Sequence, residues 1–371
     1  MIRLFSTILL FIIGNYAFAQ QLFTIPFQVK GDRIFLRADI NNTPRVFIFD
    51  TGAFSNSVDS TFNAENKLNI NPRNPIANVE TGSFKIQDSF GVLDHRKYGG
   101  VQYDGVIGIK FFKDFLVEID FITKTLKLYN RNDGIMHEFF KMNTTHHKNN
   151  MKIFGLFTTP LTIYLSDADS ITGNFLIDTG SSRNITLLEG FYPYLKETNL
   201  NHFYNDYLNA SSHGFSKSVY YKIPKVDFSD FFIKELIIDC SYGENGEISD
   251  YCDGIIGIKL LKNFNFIFDY EGSQVYIKKN DLKDGFFNEY VSDGIDIKHQ
   301  KSKSENFIVF SVIKGNENSI KLGDEVLKIN GMEPSDSLLI ESKRTAGTKL
   351  KYTIKRKRKI FEAETVVKKL L

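Results

Sequence analysis

Along this chain, apolar residues come in short runs broken by Asn, Asp and Gly, the pattern of strands linked by tight turns. Residues 25–29 and 34–40 read as two strands turning at Gly31-Asp32. Asn41-Asn42-Thr43-Pro44 turns the chain again, into a third run that ends at Asp50. That run is too brief for a helix. It reads as a buried strand that delivers Asp50 to a turn.

The chain then repeats itself. Arg45-Val46-Phe47-Ile48-Phe49-Asp50-Thr51-Gly52-Ala53 matches Gly173-Asn174-Phe175-Leu176-Ile177-Asp178-Thr179-Gly180-Ser181. Further on, Asp104-Gly105-Val106-Ile107-Gly108-Ile109-Lys110 matches Asp253-Gly254-Ile255-Ile256-Gly257-Ile258-Lys259, and two alternating strands follow each copy. The triplets at 50 and 178 stand 128 positions apart, and the Asp-Gly pairs at 104 and 253 stand 149 apart. The second unit therefore carries 21 extra residues, expected between 187 and 250. Two copies of one β unit follow, with lobe one at 20–135, a polar linker at 136–157 and lobe two at 158–283. His146 and His147 in the linker read as solvated, because adjacent His residues converge poorly on a metal.

Residues 284–371 have their own pattern. A strand covers Phe307, Ile308, Val309 and Phe310, a turn follows at Gly315-Asn316, and Leu322-Gly323-Asp324-Glu325-Val326-Leu327-Lys328-Ile329-Asn330-Gly331 comes next. The basic cluster at 355–359 reads as the charged edge of a hairpin.

Composition narrows the classes. The 371 residues are too many for one ordinary domain, and 42% apolar residues suffice for real cores. A net charge of +2 argues against nucleic acid or an anionic membrane as partner. At the N-terminus, Arg3, the apolar run 4–13 and Ala17-Phe18-Ala19 read as a signal peptide over 1–19, cut before Gln20, which sends the chain to the periplasm or outside the cell. No later stretch is apolar enough to span a bilayer. Cys240 and Cys252 are the only cysteines. In an exported chain one disulfide between them is expected, with two free, half-buried thiols as the alternative.

The paired Asp-Thr-Gly triplets carry the chemistry. Two carboxylates held close together share one proton, so one can take a proton from water while the other polarises a carbonyl. Gly leaves room for water and substrate backbone, and Thr offers a hydroxyl for bracing. One such triplet is an ordinary turn. Two, each closing an apolar strand and each followed by Asp-Gly-hydrophobic-hydrophobic-Gly, arise by chance at roughly below one in a hundred on ordinary composition.

Phe49-Asp50-Thr51-Gly52-Ala53 and Ile177-Asp178-Thr179-Gly180-Ser181 resemble the catalytic motifs of aspartic proteases, and the short units resemble the retropepsin-like branch. The resemblance covers about residues 22–280. It implies a mostly β fold, a bilobal acid-protease-like β-barrel pseudo-dimer complete within one chain and so monomeric for catalysis. It also implies hydrolysis of a peptide or protein substrate by Asp50 and Asp178, with no metal or other cofactor. Ile107-Gly108 and Ile256-Gly257 match the motif that passes behind the catalytic loops. The tail around Leu322-Gly323-Asp324 is similar to PDZ domains, which implies a small PDZ-like domain, a bacterial source and capture of a peptide C-terminus along Phe307 to Phe310. Lys303-Ser304-Glu305-Asn306 stands where that family has its Gly-rich carboxylate loop, so a purely structural appendage is the alternative. Flaps over the cleft are expected around Gly82 and around Gly214, each alternatively a plain hairpin turn. Ser181, matched by Ala53 in the first copy, is expected to donate to Asp178 and make it the more readily ionised of the two. A non-catalytic peptide-binding protein is the competing reading of the whole chain.

Overall fold

The computed structural model describes residues 21–95, 103–131, 134–149, 153–207, 217–242, 251–282, 285–286, 288–301, 305–315, 319–335 and 345–371. The signal peptide expected at 1–19 and the second flap candidate, Gly214, lie outside the described residues.

The first lobe is built from β1 (Gln21–Val29), β2 (Ile34–Ile40), β3 (Thr43–Asp50), β4 (Asn56–Asp59), β5 (Ile76–Thr81), β6 (Phe84–Leu93), β7 (Gly105–Gly108), β8 (Leu116–Asp120) and β9 (Thr125–Tyr129). The connector adds β10 (Phe140–Lys141) and β11 (Thr145–His146). The second lobe holds β12 (Phe157–Tyr164), β13 (Ser170–Asp178), β14 (Ile185–Leu187), β15 (His202–Tyr207), β16 (Lys217–Phe228), β17 (Phe231–Ser241), β18 (Gly254–Gly257), β19 (Phe264–Asp269) and β20 (Gln274–Lys279). The C-terminal domain follows with β21 (Val291–Ser292), β22 (Ile295–Lys301), β23 (Glu305–Ile313), β24 (Glu325–Ile329), β25 (Lys349–Arg356), β26 (Lys359–Val366) and β27 (Lys368–Lys369).

Each lobe closes into a six-stranded barrel. In the first the ring runs β2–β3–β7–β4–β6–β5 and closes where Asp39 and Ile40 pair with Glu80 and Val79. In the second it runs β12–β13–β18–β14–β17–β16 and closes where Leu161 pairs with Phe228. Period-two burial explains the walls. Ile34, Leu36, Ala38 and Ile40 of β2 point inward while Arg37 points out. Strands β3 and β13 differ: Phe47, Ile48 and Phe49, like Phe175, Leu176 and Ile177, are consecutive and all buried. Each runs parallel to a second apolar strand, and parallel neighbours covered on both faces need unbroken apolar runs. Burying such a side chain contributes about 1.5–3 kcal/mol.

The lobes are joined by one sheet ordered β1–β9–β8–β19–β20–β10. Its centre is the β8–β19 pairing, with Ile119 opposite Phe266 and Val117 opposite Phe268. Strand β10 takes beside β20 the place that β1 takes beside β9, so the connector completes the two-fold pattern. The expectation of a solvated linker is therefore corrected. His146 stacks on Phe157 at 4.3 Å, meets Tyr270 edge-on at 4.7 Å and lies 2.9 Å from Ser273 Oγ. Burial pushes its imidazole down to about 4, so it is neutral. His147 Nε2 lies 2.9 Å from Thr158 Oγ1. Among the described residues no group of His, Cys, Asp or Glu is arranged to hold a metal, and no helix is long and apolar enough to cross a membrane.

The extra residues of the second copy include β15 and the start of β16, which form a hairpin arm with no counterpart among the described residues of the first lobe. That arm carries the second-lobe sheet onward, because β15 also pairs with β23 of the C-terminal domain. The C-terminal domain has a core of its own, including Ile295, Val309, Val326, Ile329, Leu350, Tyr352 and Ile354. The basic cluster forms part of the β25–β26 hairpin, where Lys355 pairs with Glu325 at 2.7 Å and Arg356 with Asp324 at 2.6 Å.

Two expectations are overturned. Phe307, Ile308, Val309 and Phe310 do not offer an open edge for a peptide. On one side β23 pairs with β22, and on the other Phe307 and Ile308 pair with β24 while Val309 N donates to Asp324 O. Among the described residues of the C-terminal domain's main sheet, β22 and β26 each pair on one side alone. Cys240 and Cys252 form no disulfide; both are buried thiols. Strand β14 stands between β17, which carries Cys240, and β18, into which Cys252 leads. Two strand spacings are roughly 9–10 Å, beyond the ~7 Å between Cα atoms that a disulfide spans. Cys240 Sγ instead lies 3.7 Å from Leu188 O, and burial pushes both thiols up, that of Cys252 to about 11. Titration with a thiol reagent should therefore label neither cysteine in the native protein and both after unfolding without reductant. Absence of labelling in the unfolded chain would show a bridge.

Candidate active site

Strand β3 ends at Asp50 and β13 at Asp178, each beside the strand that carries the matching hydrophobic-Gly motif. Phe49 lies opposite Ile107 and Asp50 opposite Gly108; Ile177 lies opposite Ile256 and Asp178 opposite Gly257. These glycines face the turn after each Asp. A methyl on Gly257 would lie 2.7 Å from Ser181 O, and one on Gly108 would run into Ala53 O. The same turns are pinned by Ile109 N donating to Ala53 O at 3.0 Å and Ile258 N donating to Ser181 O at 2.8 Å. Asn56 Oδ1 accepts from Gly108 N at 3.1 Å, and Asn184 O accepts from Gly257 N at 2.8 Å.

The two threonines lock the turns to each other. Thr51 N donates to Thr179 Oγ1 and Thr179 N donates to Thr51 Oγ1, both at 3.0 Å. Each hydroxyl then donates across the lobe boundary, Thr51 to Ile177 O at 2.8 Å and Thr179 to Phe49 O at 3.1 Å. Both side chains are buried, so water cannot replace these four bonds. Valine in their place would keep the shape and break the lock.

The lock sets the carboxyl groups against each other. A methyl on Gly52 would lie 2.5 Å from Asp178 Cγ, and one on Gly180 would run into the Asp50 carboxylate. Only glycine fits either position. Within each turn the glycine N–H donates to its own Asp Oδ1 at 2.7 Å, and Ser181 N adds a bond to Asp178 Oδ1 at 3.0 Å. Burial, then the neighbouring Asp50 charge and a hydrogen bond with Asp50, push the Asp178 carboxyl well above the usual carboxylate range, against the pull of Gly180 N and Ser181 N. This direction runs against the expectation that Ser181 makes Asp178 the more readily ionised. The Ser181 hydroxyl lies beside Gly257, and the bond that reaches Asp178 comes from its backbone.

The pair is bordered by residues that the motifs did not indicate. Arg33, in the β1–β2 turn, donates Nε to Gly180 O at 3.3 Å, tying the first lobe to the second Asp-Thr-Gly turn. Tyr103 packs against His95 at 5.3 Å; burial pushes its phenol up, Arg33 pulls it down, and Asp50 and Asp59 add to the rise. Arg183 reaches from the second Asp-Thr-Gly turn to Tyr207. Arg183 had a signal in the sequence, since it occupies the position that Ser55 holds in the first copy. Gly82, by contrast, is an ordinary turn. Thr81 Oγ1 bonds Arg37 O, Gly82 lies against Thr24, and Phe84 packs on Phe23, Phe111, Phe112 and Phe115, which closes the hairpin on its own lobe.

No protein-family model matches the chain, and none of the curated proteins matches it. The lock itself can be tested. Thr51→Val should leave Thr179 N–H and Ile177 C=O unpaired, at about 1–3 kcal/mol for each. Chemical denaturation should show that loss, and a variant as stable as the parent would refute the bracing role.

Proposed function

We propose that the protein is an aspartic endopeptidase of retropepsin-like type, with both halves of the site in one chain. The observation that supports this most is the mutual approach of the two triplets: each glycine abuts the opposing carboxyl, and burial and the neighbouring Asp50 raise the Asp178 carboxyl.

In this reading a water lies between Asp50 and Asp178. Asp50 removes its proton while the oxygen attacks the peptide carbonyl carbon, and Asp178 passes its own proton to the carbonyl oxygen. A neutral tetrahedral diol results. Its collapse breaks the C–N bond, one carboxyl group protonating the leaving nitrogen and the other taking a hydroxyl proton, so the pair returns to its starting charge. The N–H groups of Gly52 and Gly180 hold the carboxyl groups in place throughout. The C-terminal domain, PDZ-like in its sequence, serves peptide or partner binding; the one-sided strand β22 is one edge that a peptide would extend. The signal-like N-terminus supports a location in the periplasm or outside the cell.

Digestion of a peptide library across acidic to neutral pH should yield defined cuts that vanish in both Asp50→Asn and Asp178→Asn. Cleavage that survives either change would remove the dyad from the reaction. A parent protein that cuts nothing would favour the reading in which cleft and C-terminal domain bind peptide without hydrolysis. The rate has a predicted pH dependence. Because the Asp178 carboxyl titrates above the ordinary value of about 3.9, activity should persist beyond that pH and fall as rising pH strips its proton. A rate that climbs steadily through neutral pH would contradict the proton assignment.

A further inference from the structure

The hairpin arm of the second lobe is held from outside that lobe. Strand β15 pairs with β16 on one edge and with β23 on the other: Asn205 faces Ile313, Asp206 faces Val312 and Tyr207 faces Ser311. Lys314 N donates to Tyr204 O at 3.0 Å, and its ammonium donates to Tyr242 OH at 3.0 Å. An apolar cluster seals the same junction, with Tyr207, Tyr220 and Ile237 of the lobe against Phe310 and Leu371 of the C-terminal domain.

Beneath this sheet a buried polar chain leads to the catalytic turn. Ser181 N bonds Asp178 Oδ1 at 3.0 Å, and two residues on Arg183 donates Nη2 to Tyr207 OH at 2.8 Å. The guanidinium also lies over the rings of Tyr207 and Tyr220, 5.4 and 5.2 Å from their centroids. Asn205, fully buried, donates to Tyr207 OH at 3.1 Å and approaches Ser311 Oγ at 3.5 Å; Ser311 in turn donates to Asp296 Oδ2 at 2.8 Å. One tyrosine hydroxyl thus gathers the catalytic turn and the arm, and its strand joins both to the C-terminal domain. Among the described residues the first lobe shows no such arrangement, since Ser55 stands at the matching position and no strand there matches β15.

We propose that the C-terminal domain is part of the catalytic unit: it fixes the second-lobe arm relative to the Asp50/Asp178 pair, and Arg183 is the positioning residue that transmits this to the catalytic turn. The inference rests on the reading of that pair as the reacting groups. It differs from a tethered recruiting domain, whose loosening would change substrate capture and leave the arm alone.

The test uses the full chain with Tyr207→Phe, which removes the shared hydroxyl and keeps the ring, and Ser311→Ala, which cuts the link to Asp296. Amide hydrogen exchange of residues 202–207 and 217–221 should rise about tenfold in both, the scale of one hydrogen bond to a charged group, while residues 349–356 keep parental exchange. With a cleaved peptide, kcat should fall and KM stay close to the parent. Arg183→Lys, which retains charge without the fork, should raise arm exchange as Tyr207→Phe does. Unchanged exchange in the arm, or raised exchange with kcat untouched, overturns the proposal. A parent protein without peptidase activity counts against the protease reading alone, and arm exchange then decides the anchoring claim by itself.

Discussion

Everything at the centre of this molecule depends on the crossed bonds between Thr51 and Thr179. Each turn donates to the other's hydroxyl, and each hydroxyl donates to the strand that delivers the other's aspartate. No residue of one lobe can satisfy the lock without its counterpart in the other, so the two barrels must meet in one relative orientation. That orientation brings Gly52 onto Asp178 and Gly180 onto Asp50, and it buries Thr51 and Thr179 just past the ends of the strands. The raised Asp178 carboxyl is the electrostatic consequence of this mechanical constraint.

Around the lock the molecule is symmetric where geometry demands it and asymmetric elsewhere. The barrels, the parallel Asp and Gly strands and the β8–β19 sheet repeat in both copies. The departures cluster on one side. The second copy gains the hairpin arm, gains Arg183 in place of Ser55, and pairs with the C-terminal domain. The first contributes Arg33, which reaches over to Gly180. A duplicated unit fixes two like halves of a site, and the later differences make the halves unequal.

How much of this was legible in the sequence follows from the range of each interaction. The strands into Asp50 and Asp178, the closing of each unit at its Asp-Gly motif and the extra segment in the second copy all follow from local pattern and from the repeat. The mutual packing of the triplets was legible only as chemistry, because one Asp-Thr-Gly does not reveal its partner. What failed depended on neighbours distant in sequence. A disulfide looked reasonable between Cys240 and Cys252 until β14 came between their strands. Phe307 to Phe310 looked like an open edge, yet β22 and β24 cover its two sides, while further along the same strand β15 covers Ser311 to Ile313. His146 looked solvated because the rings of Phe157 and Tyr270 that enclose it come from other parts of the chain. The Ser181 hydroxyl turned toward Gly257, a choice of rotamer that sequence cannot state.

The central claim is that Asp50 and Asp178 act as one pair sharing one proton. Carbon-13 NMR of labelled aspartate carboxyl groups, followed through a pH titration, measures this directly, with Asp50→Asn and Asp178→Asn assigning the signals. The account predicts one carboxyl that keeps its proton well above the usual range, and loses that behaviour when its partner is made neutral. Two carboxyl groups that titrate independently in the ordinary range, each indifferent to substitution of the other, would contradict it.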